Sequence, residues 1–167
     1  MVFYFVKGGK GFSYGYTYYR FRVPKINSGT SNLVENIQFR WDGSWQTNSM
    51  TASSTGTIGL IECTVTASAE LSSSFAGWKA FDATSDSWQS GFDTYDGSQN
   101  EIGEQWVKIE FQTGGGKVIT GMKVVGNGSF YPVDFYLQGS NNNSTWTTIP
   151  GSSQTGQNTS TEQTYTW

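Results

Sequence analysis

The sequence predicts an all-β protein, an antiparallel β-sandwich or jelly roll, on three observations. Of 167 residues, 16% are aromatic and 21 are glycine, and this composition suits short strands joined by tight turns because aromatic side chains pack well on pleated surfaces. Apolar and polar residues alternate through eight short segments separated by turn-forming residues. Helical spacing is almost absent, and only Phe75 to Phe81 could hold one helical turn. Two sheets that bury their apolar faces against each other satisfy this pattern.

The predicted strands follow one another along most of the chain. In the first, the alternation places Tyr19, Phe21 and Val23 on one face and Arg20 and Arg22 on the other. The second contains Ile37, Phe39 and Trp41, and the other six are Gly59 to Ala67, Trp106 to Phe111, Val118 to Val125, Val133 to Leu137, Thr145 to Ile149 and Gln163 to Trp167. In the stretch from Tyr131 to Pro150 a polar turn lies between two apolar segments. The sequence leaves two interpretations of this turn open: a binding site, or only the turn of a hairpin.

The chain length suits one domain, which we place at residues 17–167. Residues 1–16 form an amino-terminal extension rich in glycine and aromatic residues, more than a small domain needs for its own core. We expect this extension to pack on a partner in a larger assembly.

Several functions are disfavoured by composition. A net charge of -3 with ten Lys and Arg residues predicts no nucleic-acid binding, since a phosphate backbone rewards a clustered basic face. No run approaches the roughly 20 apolar residues of a membrane span, and the six-residue apolar start is shorter than a signal-peptide core, so we expect synthesis in a cytoplasm. Cys63 lies in an apolar run and is interpreted as an inert small hydrophobe.

Catalysis is a minority hypothesis because the chain contains no histidine, the side chain best suited to acid-base chemistry near neutrality. A glycosidase-type carboxylate pair is the alternative, since Asp93, Asp96, Glu101 and Glu104 crowd one loop. The same residues are also typical of an exposed acidic loop.

Three separated stretches, in order, resemble one known family. "SSSFAGWKAFDATSDSWQSG", "EQWVKIEFQTGGGKVITGMKVVG" and "PVDFYLQGSNNNSTWTTI" are similar to the discoidin-like, coagulation-factor type C domain of the galactose-binding superfamily, over roughly residues 72–150. The likeness makes the hairpin between Tyr131 and Pro150 a feature of the scaffold. An earlier stretch, "YYRFRVPKINSGTSNLVENIQFRW", resembles the strand pair that closes such domains at the carboxyl end. We therefore predict a circular permutation in which the first two strands fill the last two places, with strand addition from a neighbouring subunit as the alternative.

The resemblance implies a β-sandwich that binds glycans, lipids or proteins through loops at one end, with a structural calcium near Asp82. Asp86 is a further candidate calcium ligand, because calcium prefers oxygen donors. The resemblance adds Asn36, which stands at the position where the family commonly carries a glutamate that helps hold the ion. The pattern of Asp82 and Asp86 with nearby hydroxyls is also typical of a capped polar turn. Ala83 stands where the family carries glycine.

Ligand-contacting residues vary within the family, so the candidates come from the loop itself. Trp88, Phe92 and Tyr95 could stack on the C–H faces of a sugar, while Asp93 and Asp96 orient its hydroxyls. Phe92 and Tyr95 are preferred, since Trp88 matches a position that is more often in the core.

The favoured function is that of a non-catalytic virion protein, such as a phage capsid decoration, tail fibre or tail-associated subunit, that displays this domain for adhesion. Its partners would be other virion proteins or copies of itself, together with a host surface glycan, and its place would be the virion surface. The alternatives are a free carbohydrate-binding module or lectin, and a hydrolase.

Overall fold

A computed structural model describes residues 15–112 and 116–167 and shows an all-β sandwich. Within these residues twelve strands and two short 3-10 helices follow in chain order. The strands are β1 (Tyr18–Ile26), β2 (Leu33–Trp41), β3 (Ser44–Trp45), β4 (Asn48–Ala52), β5 (Thr55–Ile58), β6 (Ile61–Ala67), β7 (Trp88–Gln89), β8 (Trp106–Phe111), β9 (Gly121–Gly126), β10 (Pro132–Ser140), β11 (Thr147–Thr148) and β12 (Gln163–Thr166). The 3-10 helices are Ser73–Phe75 and Gly77–Phe81, where one helical turn was predicted.

The strands form two antiparallel sheets. One has seven strands in the order β11-β10-β1-β8-β6-β5-β4, and the other has the order β12-β9-β2-β3 with β7 paired to β2. The sandwich interior contains the apolar faces of both sheets, as the alternating pattern predicted: Tyr19, Phe21, Val23, Ile37, Phe39 and Trp41 are all buried. The predicted all-β sandwich is confirmed.

The first strand occupies an interior place in the seven-stranded sheet and pairs with strands of its own chain. β1 lies between β10 and β8, with Phe21 opposite Leu137 on one side and Val107 on the other. The rings of Phe21 and Phe135 pack with centroids 5.3 Å apart. Pairing is therefore intramolecular, and strand addition from a neighbour is not needed to fill this place in the sheet.

An amino-terminal extension was predicted at residues 1–16, and residues 1–14 of it lie outside the described residues. Tyr16 belongs to the sandwich, because its ring packs edge-on against Tyr19 with centroids 5.8 Å apart. The same ring lies over Gly139, where a Cβ atom would approach it to 2.1 Å. Glycine at this strand position therefore makes room for Tyr16.

The stretch from Tyr131 to Pro150 is a hairpin. β10 pairs with β11, which is two residues long where five were predicted, and Asn142 Oδ1 accepts hydrogen bonds from the backbone N–H groups of Ser144 and Thr145 at 3.0 and 2.8 Å. Such a turn closed by an asparagine side chain is a local structural device. The polar turn therefore has a scaffold role that accounts for its composition.

Five predicted strands, those from Gly59, Val118, Val133, Thr145 and Gln163, differ in their bounds from the observed ones, and other strands were missed. The segment predicted as one strand from Gly59 begins at Ile61, because Gly59 has a φ of +62° and lies with the fully exposed Leu60 in a turn. β3, β4, β5 and β7 had no clear alternation of apolar residues. No helix in the described part of the chain is long and apolar enough to cross a membrane.

Candidate functional site

Three connecting segments meet at one end of the sandwich, and we call this surface the loop end. They are residues 27–32, 91–105 and 127–131, which follow β1, β7 and β9. The carbonyl of Thr30 accepts hydrogen bonds from the N–H groups of Thr94 and Tyr95 at 3.0 and 3.2 Å, and Asn27 N–H donates to the Tyr131 carbonyl at 3.0 Å. These bonds fix the three segments against one another, so the loop end is held by backbone contacts.

Two of the predicted ligand-stacking residues lie in the core. Trp88 is fully buried and donates its indole N–H to the Ala69 carbonyl at 3.0 Å. Tyr95 is equally inaccessible, and its hydroxyl donates to the Val23 carbonyl at 2.8 Å. Burial raises the pKa of Tyr95 well above its usual value. The prediction that these two rings contact a ligand is corrected. Both are core residues, and they hold the loop onto the sandwich.

Phe92 is the candidate that the fold places at the surface, with 72% of the residue exposed. Asp93 beside it is also exposed and has a φ of +56°. Ile102, which is likewise exposed, donates its N–H to the Thr94 carbonyl at 2.8 Å. The loop therefore presents an aromatic ring, an apolar side chain and a carboxylate from a hydrogen-bonded base.

Asp96, the remaining ligand candidate, has a local role in the same loop. Its Oδ1 atom accepts hydrogen bonds from the N–H groups of Ser98 and Asn100 at 2.8 and 3.0 Å. Its backbone N–H donates to the Asn100 carbonyl at 2.9 Å. Asp96 therefore shapes the tip of the loop.

The base of the loop is tied to β1 by charged side chains. Arg22 donates from Nη2 to Glu101 and from Nη1 to Glu104, each over 2.6 Å. Arg20 donates to the other oxygen of Glu104 at 2.9 Å. We call these four residues the arginine–glutamate network. Glu101 also accepts the N–H of Gln105 at 2.7 Å, so the network fixes both the side chains and the backbone of the loop.

The electrostatics of Glu104 reflect these contacts. Partial burial acts to raise the pKa of Glu104, but hydrogen bonds and charges from Arg22 and Arg20 outweigh it and hold the pKa below the usual 4.5. Both oxygens of each network carboxylate are engaged. Glu101 and Glu104, half of the carboxylate set in the hydrolase hypothesis, therefore serve as acceptors for arginine and backbone groups.

The sequence alone did not reveal this network. Alternation predicted that Arg20 and Arg22 face away from the sandwich interior, and they do, but both are nonetheless buried by the loop and by neighbouring side chains. The two ends of the Arg22–Glu101 contact are 79 positions apart. The available signal was a pair of arginines that alternate with the apolar and aromatic residues Tyr19, Phe21 and Val23.

The candidate calcium ligands each have a protein partner. Asp82 Oδ1 accepts hydrogen bonds from the N–H and hydroxyl of Thr84, both at 2.8 Å, and Asp86 forms an ion pair with Lys79. Asn36 Oδ1 accepts from the side-chain amide of Asn48 at 3.0 Å. Across residues 15–112 and 116–167, no three or more Asp, Glu, His or Cys side chains are grouped as a metal site would require. A calcium site at Asp82, Asp86 and Asn36 stays a prediction.

Comparison with known proteins gives no further assignment. No protein-family model matches the chain, and neither the curated proteins nor the solved structures contain a significant match to it. The resemblance to discoidin-like domains therefore rests on the sequence motifs.

Proposed function

We propose that this chain is a non-catalytic virion protein, a capsid decoration, tail fibre or tail-associated subunit, whose β-sandwich binds carbohydrate on a host surface through its loop end. The observation that carries the proposal is the exposed ring of Phe92 on a loop that hydrogen bonds hold at its base. The C–H face of a sugar packs on such a ring, and neighbouring polar groups such as Asp93 bind its hydroxyls. A loop fixed before binding loses little conformational entropy when a ligand arrives.

The carboxylates of the same loop support a binding role over a catalytic one. Glu101 and Glu104 are engaged by Arg22 and Arg20, and Asp96 by its own turn. A general acid needs a raised pKa and a nucleophile needs an open approach. The arginines instead outweigh the effect of partial burial and lower the pKa of Glu104, and the engaged oxygens of Glu101 and Asp96 leave no open approach.

Composition supports the virion setting. Only 14% of the residues are charged, and the exposed loops are rich in Asn, Ser, Thr and Gly. A sparsely charged surface of this kind suits a subunit that is packed into an assembly. The alternative, a free carbohydrate-binding module or lectin, shares the proposed binding chemistry and differs in its partners.

Two measurements test the proposal. The purified chain, applied to a glycan array, is expected to bind at least one carbohydrate and to release no reducing ends from it. Electron microscopy of the native source, with an antibody against the chain, is expected to label particles. Absence of binding to any glycan, or turnover of a bound one, contradicts the adhesion role, and a soluble monomer that never labels particles favours the lectin alternative.

A further inference from the structure

The outer face of the seven-stranded sheet carries an ordered array of aromatic and polar side chains, which we call the sheet face. Side chains directly opposite in antiparallel strands share a face. The register therefore places Tyr136, Arg22 and Trp106 in one row across β10, β1 and β8. Adjacent strands lie about 4.8 Å apart, so the two aromatic residues of this row are anchored roughly 10 Å from each other.

The following rows continue the array along the strands. Gln138, Arg20 and Lys108 form the second row, and Tyr18 and Glu110 lie in the third. Trp146, from the turn between β10 and β11, reaches back over the second row. The four aromatic residues of the face are half-buried, namely Tyr18, Trp106, Tyr136 and Trp146.

Cationic groups hold these rings in place. The guanidinium carbon of Arg20 lies 4.5 Å from the ring centroid of Trp146, and that of Arg22 lies 5.6 Å from the ring of Tyr136. The ammonium of Lys108 lies 5.9 and 5.6 Å from the rings of Tyr18 and Trp106. Each such contact stabilises a ring position, so the array is organised before any ligand binds.

Charge on the sheet face is balanced. In its three rows the cations Arg20, Arg22 and Lys108 are matched by Glu101, Glu104 and Glu110, and further along the strands Lys25 lies opposite Asp134 while Glu62 is exposed on β6. Both arginines are already paired with carboxylates, and Lys108 donates to the side-chain oxygen of Asn143 at 3.0 Å. An anionic or cationic ligand would therefore gain little from this face, whereas an uncharged ligand with many hydroxyl groups would find both donors and acceptors.

From this arrangement we infer a second saccharide surface: the sheet face binds an uncharged oligosaccharide chain, laid across the rings of Trp146, Tyr136 and Trp106. The inference rests on the proposed carbohydrate-binding function and adds to it a site and a ligand class. The loop end offers the exposed rings of Phe92 and Phe130, while the sheet face offers four half-buried rings on and beside neighbouring strands. A chain of several sugars matches the sheet face because consecutive sugar rings can each contact a different aromatic side chain.

The second sheet offers a matched control. Trp45 on its outer face is also half-buried and also carries a cation, with the ammonium of Lys123 5.2 Å from its ring. Replacing Trp45 by alanine removes the same kind of contact from the opposite side of the molecule. The two tryptophan variants should therefore differ in binding and not in their general effect on the fold.

The experiment titrates the full chain with neutral hexasaccharides (cellohexaose, maltohexaose and a galactan hexamer) and with a heparin hexasaccharide. Indole N–H resonances are recorded by NMR, and affinities by calorimetry. We expect at least one neutral hexasaccharide to shift the signals of Trp106 and Trp146, and Trp146→Ala to weaken its binding by about tenfold or more. Trp45→Ala should bind as the wild type does. The affinity should be unaffected by added salt because no ion pair forms with the ligand.

Tyr136→Ala provides a second test should Trp146→Ala fold poorly. Melting curves show whether each variant is folded before its affinity is compared with that of the wild type. Neutral binding that Phe92→Ala abolishes but both sheet-face variants retain overturns this inference and leaves the proposed function standing. Selective, salt-sensitive binding of heparin also overturns it. Failure of every glycan to bind the wild type overturns both proposals.

Discussion

Arg22 donates to Glu101 over 2.6 Å, and solvent reaches only 4% of the first side chain and 20% of the second. This ion pair joins β1, an interior strand of the seven-stranded sheet, to the base of the candidate binding loop. A partly buried pair of this kind contributes little when intact, but it is costly to break because one charge is then left without its partner. The shape of the loop is therefore coupled to the stability of the sheet.

Glu101→Gln should lower the free energy of unfolding by about 1.5–3 kcal/mol, the range for hydrogen bonds to charged groups. The substitution keeps the side-chain size but removes the charge that faces Arg22. Urea denaturation measures the change. Glu162→Gln is the control, because the Glu162–Lys123 pair is more exposed and its loss should cost no more than about 0.5 kcal/mol. Equal effects of the two substitutions would contradict the role given to Glu101.

Stability should fall in acid in a way that depends on Glu104. Its pKa in the folded chain is held below the usual 4.5, so its contribution to stability is present above that pH. The contribution is lost as the pH falls through the lowered pKa, since the unfolded chain takes up the proton first. Glu104→Gln should flatten this part of the curve of unfolding free energy against pH. An unchanged slope in the variant would show that Glu104 does not contribute.

Ala83→Gly should stabilise the fold by roughly 0.5–1 kcal/mol. Ala83 has a φ of +58°, a left-handed conformation that strains residues with a Cβ atom, and relief of this strain outweighs the greater flexibility of glycine in the unfolded chain. Ala69, which is not among the positive-φ residues, is the control: Ala69→Gly should destabilise by about 0.4–1 kcal/mol. Thermal melting compares the two, and loss of stability on Ala83→Gly would refute the argument.

Cys63 should not react with thiol reagents in the native protein at neutral pH. It is buried, and burial raises the pKa of its thiol to about 11, so the reactive thiolate is scarce and shielded. The chain has no other cysteine, which makes the signal unambiguous. Labelling should become fast in denaturant, and equally fast labelling without denaturant would contradict the assigned burial.

Strands that contribute several residues to the core could be predicted from sequence, and strands that contribute few could not. In β1 and β2 every second residue is apolar over at least five positions, which fixes both the strand and its buried face. β4 is an edge strand and β5 is its neighbour, and the two bury only Met50 and Ile58 as apolar side chains. A single buried apolar residue in a short strand leaves no periodic signal.

The candidate site was only half predictable for a different reason. The polar neighbours of Tyr95 suggested a surface loop, but its ring enters the core at a place set by β1, whose Val23 accepts its hydroxyl bond. Likewise, the pairing of Arg22 with Glu101 depends on how β1 lies beside the segment before β8. Contacts between distant parts of the chain follow from the assembled sheets, which local patterns do not specify.

The affinity of Phe92→Ala for the glycan that the wild type binds tests the central claim most directly. Leu60→Ala is the matched control, because Leu60 is a fully exposed apolar residue in the turn between β5 and β6, at the opposite end of the sandwich. Loss of one stacked aromatic contact should weaken binding by about tenfold or more, as measured by calorimetry, while Leu60→Ala leaves it unchanged. Equal affinities of Phe92→Ala and the wild type would contradict a binding role for the loop end.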